Sequence, residues 1–287
     1  MSVLLTRAAD RSAATAREPG TPPVPGRWTG ALVAAALGQA ALMVGVIVAY
    51  RQGRHLAGDV GAPALRHAST VWHLERWLGL PSEASVQRLA LHAHWLVHAM
   101  NVFYLTAHFP VTGVFLAWVW FRHRTAWPRV RAALILLTGA ALAIHLAYPL
   151  APPRLLPGHP LLDTGRLIGP TPYPEQAGHG YSNQYAAMPS LHIAWAVLVA
   201  WGVVTLSRRR RLRWLAVPYP VTTTLVVVIT GNHYWLDGIV GVALLCLALR
   251  LSTAPVCDPV TWARRRRRAR RGVPAAPRGQ PAGAMYR

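Results

Sequence analysis

His233 and Asp237 stand four residues apart in the run Gly231-Asn232-His233-Tyr234-Trp235-Leu236-Asp237. On a helix that spacing puts two side chains on one face, one turn apart. A carboxylate so placed accepts the proton of one imidazole nitrogen and leaves the other as a base or nucleophile. The same spacing also serves as a plain structural hydrogen bond. A second candidate is Ala187-Met188-Pro189-Ser190-Leu191-His192. Proline opens helices well, and the unpaired amides of a first helical turn suit an anion. Ser190 and His192 fall in that turn, although a serine beside a proline is equally an ordinary cap. A third run, Tyr148 to Pro157, surrounds Arg154 with Pro149, Pro152, Pro153 and Pro157. The prolines predict a stiff extended segment. It would present Arg154 for bidentate contact with a phosphate, or for touching lipid head groups.

The elements that must carry these runs are apolar. Of 287 residues 53% are hydrophobic and 14% charged, against about 25% charged in an ordinary soluble domain. Such a chain is not disordered, and it is not a simple nucleic-acid-binding domain. Stretches of about 20 apolar residues can cross a bilayer, where only helices satisfy the backbone internally. Six are predicted: Thr29–Tyr50, His92–Phe121 with a kink at Pro110, Ala132–Leu150, Pro189–Leu206, Trp214–Thr230 and His233–Leu249. Splitting the second at Pro110 would make seven. The fold class expected is all-α, a polytopic helical bundle. Asp237 is the one acidic residue in any of the six spans, and intramembrane ionisable groups are costly and usually functional.

Charge supports six spans over seven. The net charge is +21, from 30 arginines, no lysine and nine acids. With six spans, 23 of the 30 arginines share the side that holds both termini. The positive-inside rule makes that side cytoplasmic. The three motifs then lie at the opposite, outer ends of the spans. Residues 1–27 and 253–287 read as disordered cytoplasmic tails flanking a membrane domain at 28–252. The first span reads as an uncleaved signal-anchor. The basic run Arg264–Arg271 fits anionic lipid head groups better than nucleic acid in that position. Cys246 and Cys257 suggest neither a disulfide framework nor a zinc site. The segment around Trp72–Leu91 is read either as an amphipathic helix flat on the outer interface or as a packed loop helix. Abundant Ala, Arg and Pro without lysine is the usage of a high-GC bacterial genome.

Taken together, the motifs resemble the type 2 phosphatidic acid phosphatase (PAP2) superfamily. The residues that carry the resemblance are Asn101-Val102-Phe103-Tyr104 with His108, Ala151-Pro152-Pro153-Arg154, Asn183 through His192, and Gly231 through Asp237. Their wording is similar to the branch of inositol phosphorylceramide synthases and related inositol phosphotransferases. The resemblance covers roughly 92–250. It implies that His233 attacks phosphorus to give a phosphohistidine, with Asp237 orienting it. It implies that His192 protonates the leaving oxygen and then activates water or an alcohol, and that Arg154 and Ser190 hold phosphoryl oxygens. No metal or other cofactor is implied, and the sequence has no dense carboxylate cluster for one.

The departures fall on cations. Where the broad family has a lysine seven positions before the motif arginine, this chain has Ala147; where it has Ser-Arg, this chain has Val226 and Val227; its motif glycine is Leu191. Those differences point away from an ordinary lipid phosphatase and towards the synthase-like branch. Arg166 or His159 is a candidate to replace the lost charge. His98, Asn101, Tyr104 and His108 form a polar stripe at helical spacing. It suits a head-group or acceptor wall, a transporter pore or a structural network. Asn183, Tyr185 and Asn232 are further candidate head-group or acceptor contacts. The function expected is an integral plasma-membrane phosphotransferase or phosphatase acting on a lipid phosphate at the outer face. Hydrolysis of a lipid or polyprenyl phosphate, and a non-enzymatic transporter or scaffold, are the alternatives.

Overall fold

The computed structural model describes residues 60–171 and 184–252, with positions 34, 35, 37–39, 41, 42, 44, 45, 47–49 and 52. The chain divides into two units, Met1–Gly45 and Val46–Arg287. In the first, the described positions are helical, with Leu37, Leu42 and Val44 exposed. The expected span Thr29–Tyr50 is thus only partly described. Asn183, Cys257 and both tails lie outside the described residues.

The second unit is helical, and its described residues contain no strand. Its helices are α1 (Gly61–Trp77), α2 (Glu83–Leu91), α3 (His94–Thr106), α4 (His108–Arg122), α5 (Trp127–Ala147), α6 (Thr164–Ile168), α7 (Leu191–Leu206), α8 (Arg210–Ala216), α9 (Pro218–Ile229) and α10 (Trp235–Leu251). By length and composition α5 and the run Arg210–Ile229 are able to cross a membrane, and α3 with α4 makes a third if the bent pair is one span. The helix α7 is apolar but has only 16 residues. The described helices therefore suit a membrane protein, and among the described residues two, or three with the bent pair, are long and apolar enough to span.

Helix boundaries move for local reasons. The expected kink at Pro110 falls three residues earlier, with α3 and α4 bent by 48° at Ala107. Proline has no N–H to offer Thr106 and its ring crowds that carbonyl. Restarting the helix at His108 puts Pro110 in a first turn, where no N–H is needed. The third span, expected at 132–150, begins at Trp127 with Pro128 in its first turn. It ends at Ala147 because Pro149 drives Tyr148 out of helical geometry, to φ −136° and ψ 73°. The fifth span begins at Arg210 rather than Trp214, and Pro218 opens a new helix within it. The sixth begins at Trp235, so His233 lies just before the helix rather than in it.

The helix α10 packs on α5 and α7, and α7 also packs on α9 and α4. Small residues permit the close approach of α7 to α10. A Cβ on Gly241 would lie 2.7 Å from the Ser190 carbonyl oxygen, a backbone atom with no freedom to swing away. At the other end of the bundle's sequence, α1 buries Ala64, Ala68 and Val71 against Leu150, Ala151, Leu156, Ala187 and Tyr234. The Trp72–Leu91 segment is therefore a packed α1–α2 hairpin. Its Glu75, Glu83 and Gln87 are fully buried against protein, while Leu74, Trp77, Leu78 and Leu89 are exposed.

Candidate active site

Backbone hydrogen bonds join the three motifs before any catalytic side chain does. Segments 148–151 and 184–187 pair in parallel through Leu150 N to Tyr185 O, 2.9 Å, and Ala187 N to Leu150 O, 3.1 Å. Arg154 N donates to Gly231 O at 3.1 Å, and Ser190 N donates to Asp237 O at 2.9 Å. Gly231 takes φ +69°, a left-handed conformation natural to glycine, and a Cβ there would meet Arg154 Cβ at 3.0 Å. The extended proline-rich run, the start of α7 and the start of α10 thus form one frame.

That frame sets the His233–Asp237 geometry. His233 Nδ1 lies 2.9 Å from Ala187 O and 3.2 Å from Asp237 Oδ2. Both partners are acceptors, so Nδ1 carries the proton and Nε2 keeps its lone pair. The expected one-turn helical face is not what brings the pair together. Asp237 is the third residue of α10 and reaches back to cap it, accepting Tyr234 N at 2.9 Å. The capping turn carries the carboxylate to His233. Asp237 is completely buried and His233 is 5% exposed.

His192, half-buried in the first turn of α7, places its ring centroid 5.7 Å from that of His233. Tyr104 stacks on His192 at 4.7 Å, and His108 lies 4.5 Å from it while stacking on Trp195 at 5.1 Å. The two imidazoles are near enough to address one small group between them. Ser190 was expected to hold phosphoryl oxygen. It is fully buried at the N-cap of α7, its Oγ accepting Ile193 N at 3.4 Å, which leaves the hydroxyl proton to donate.

Arg154 is held from several sides. Its Nε meets Asp163 Oδ2 at 3.2 Å, Nη1 donates to Asn232 Oδ1, and Nη2 donates to Gln184 Oε1 at 3.1 Å. Asn232 was expected to touch a head group. Both ends of its amide are used within the protein, the Nδ2 donating to Thr230 Oγ1 at 2.8 Å. Asn101 likewise turns out to be a tether. Its Nδ2 donates to Thr164 O and Gly169 O, each at 3.0 Å, and its Oδ1 accepts Thr164 Oγ1 at 3.0 Å. Tyr185 packs against the α1 cluster.

Asp163 and Gln184 were not anticipated. Asp163 also holds Arg166, whose Nε is 3.6 Å from the same Oδ2, so the two arginines flank one carboxylate. With nine acids against 30 arginines, any acid beside the Arg154 run was a signal. His159 packs edge-on against Trp72 at 4.6 Å and bonds Pro157 O. The valines in place of the Ser-Arg pair, Val226 and Val227, are 3% and 1% exposed, and Val227 O anchors Asn232 N and His233 N at 3.0 and 3.1 Å.

Searches of curated proteins and of solved structures returned no significant match. The family model described as the PAP2 superfamily matches residues 69–251, well over half of the chain. The match begins within α1, so most of the α1–α2 hairpin belongs to the family unit together with the paired histidines, the capped aspartate and the clamped arginine; the chain is a member of the PAP2 superfamily, whose members are generally lipid-phosphate phosphatases and phosphotransferases.

Proposed function

We propose that this chain is an integral membrane enzyme that cleaves a lipid phosphate through a phosphohistidine and passes the phosphoryl-bearing group to an alcohol, in the manner of an inositol phosphotransferase. The observation that carries the proposal is the His233 Nδ1 contact with Asp237 Oδ2 and Ala187 O. It leaves Nε2 as the nucleophilic atom. Nε2 attacks phosphorus, the N–P bond forms, and the bond from phosphorus to the leaving oxygen breaks. His192 gives that oxygen its proton. The deprotonated His192 then takes the proton of the acceptor hydroxyl, which attacks phosphorus and releases His233. Asp237 balances the positive charge of the phosphorylated ring. Arg154, with Arg166 behind Asp163, faces the charge that spreads over the phosphoryl oxygens. The amides of Leu191 and His192 lack an acceptor among the described residues and add donors at the start of α7.

Transfer is favoured over hydrolysis by the valines that stand where the broad family's Ser-Arg pair would be. A pore reading loses support from Asn101, whose amide is committed to Thr164 and Gly169. The membrane arrangement proposed has six spans at 28–252, cytoplasmic tails at 1–27 and 253–287 resting on anionic lipid, and an extracytoplasmic site in the plasma membrane. The arginine distribution supports it. Incubating purified protein with phosphorus-labelled lipid phosphates, with and without inositol, tests the chemistry. Label that moves only when the alcohol is present supports transfer. Free phosphate without acceptor means hydrolysis, and full turnover by His233→Ala would refute the phosphohistidine.

A further inference from the structure

The mechanism uses neither carboxyl of the α1–α2 hairpin. Glu75 and Glu83 are both fully buried, and Arg76 is the cation beside them, 3.1 Å from Glu83 Oε2 and 3.7 Å from Glu75 Oε2. One cation balances one carboxylate. Two adjacent ionised carboxylates buried beside one cation would be costly, so the second carboxyl keeps its proton. The Glu75 Oε1 atom accepts Leu236 N at 2.7 Å. Leu236 is the second residue of α10 and the neighbour of Asp237, so the hairpin holds the turn that aims the catalytic carboxylate. Trp235 Nε1 adds a second tie, to Pro81 O at 2.9 Å between α1 and α2.

We propose that Glu75 and Glu83 share one proton against Arg76 and act as a positioning pair, fixing the first turn of α10 and thereby Asp237 behind His233. The proposal rests on the phosphohistidine reading for its catalytic consequence. The groups facing the pair are Arg76 from α1, the Tyr234 hydroxyl at the cap of α10, and Asp237 within it. Burial, the Glu83 carboxyl and then the charge on Asp237 push the Glu75 carboxyl up to about 9.

The sign of the pH effect follows. Unfolded Glu75 would lose its proton near 4.5, whereas in the fold it keeps it to about 9. Between those values unfolding releases a proton, so rising pH favours the unfolded chain. Stability from this group is undiminished below the lower value and falls steadily up to the upper one. Glu75→Gln copies the protonated form, accepting from Leu236 N and donating to Glu83, but does not titrate.

Melting of the full chain in detergent, followed from pH 5 to pH 9, reads the shared proton. The Tm advantage of Glu75→Gln over wild type is expected to widen with pH. Parallel curves would overturn proton sharing. Orthovanadate, a mimic of phosphoryl transfer, reads the positioning through the concentration giving half its stabilising effect. That midpoint is expected to weaken above about pH 9 in wild type, where Glu75 ionises beside Asp237, but not in Glu75→Gln. Glu75→Ala should weaken it about tenfold. Equal alkaline weakening in wild type and Glu75→Gln, or a folded Glu75→Ala with the wild-type midpoint, would overturn positioning. A wild type that vanadate does not stabilise at any pH would instead overturn the phosphohistidine reading and the positioning role with it, while the melting curves still decide the shared proton.

Discussion

Two walls meet at His192, and they are built differently. On one side His233, Asp237, Arg154, Asn232 and Asp163 are bound to one another and to main chain. On the other, Tyr104 and His108 meet His192 through ring contacts, Trp195 stacks behind His108, and His108 Nδ1 has no hydrogen-bond partner among the described residues. Hydrogen bonds fix direction as well as distance, whereas ring stacking leaves an aromatic group some freedom to slide. Phosphoryl transfer gains from fixed dipoles that need no rearrangement as charge develops. Recognition of an acceptor gains from a surface that can adapt. Under the proposed function, the chemistry belongs to the bonded wall and substrate choice to the ring wall.

The largest effect should come from the centre of the bonded wall. His233→Ala removes the nucleophile, and turnover should fall by at least about 10⁴-fold with binding of lipid phosphate retained. Single-turnover assays with labelled lipid would check it. Arg154→Lys keeps the charge but loses the fork that Asp163, Asn232 and Gln184 hold, and kcat/KM should fall about 100-fold. A loss confined to a few fold would mean that Arg154 only spans the frame. Asp163→Asn keeps the shape and removes one anion between two arginines. A milder drop of about tenfold is expected, measured as kcat/KM.

Asn101→Ala separates architecture from chemistry. It strips partners from the Thr164 and Gly169 carbonyls and from the Thr164 hydroxyl. Stability should fall by about 2 kcal/mol, seen as a lower Tm, with kcat nearly kept in the fraction that remains folded. The smallest change in rate belongs to the ring wall. His108→Phe preserves the stack on Trp195, and should alter the preference among acceptor alcohols while changing kcat by about threefold or less. A His108→Phe variant as inactive as His233→Ala would erase the distinction between the walls.

Much of the bonded wall was legible in one dimension. His233 and Asp237 lie within one capping turn, and the prolines around Arg154 announce a stiff segment, so short-range geometry brought them forward. Asp163, Gln184, Glu75 and Glu83 were legible only as acids or amides in connecting segments. The partners of Gln184 and Glu75, Arg154 and Leu236, are distant in the chain, and no local spacing encodes such a meeting. Asn101 shows the converse. Its place on a polar stripe was readable, but its target was an external carbonyl pair rather than a substrate.

The sequence by itself determined the helical class, the apolar runs, the arginine asymmetry and the residues able to perform phosphoryl chemistry, because helical periodicity, proline geometry and residue type are local properties. Tertiary structure decided which polar atoms are left for chemistry. Ser190 caps α7, Asn232 is tied in at both ends of its amide, Asp237 serves both a cap and a histidine, and a buried acid pair stands behind it. A buried polar group must be satisfied by whatever reaches it, and that is settled only when distant segments pack together.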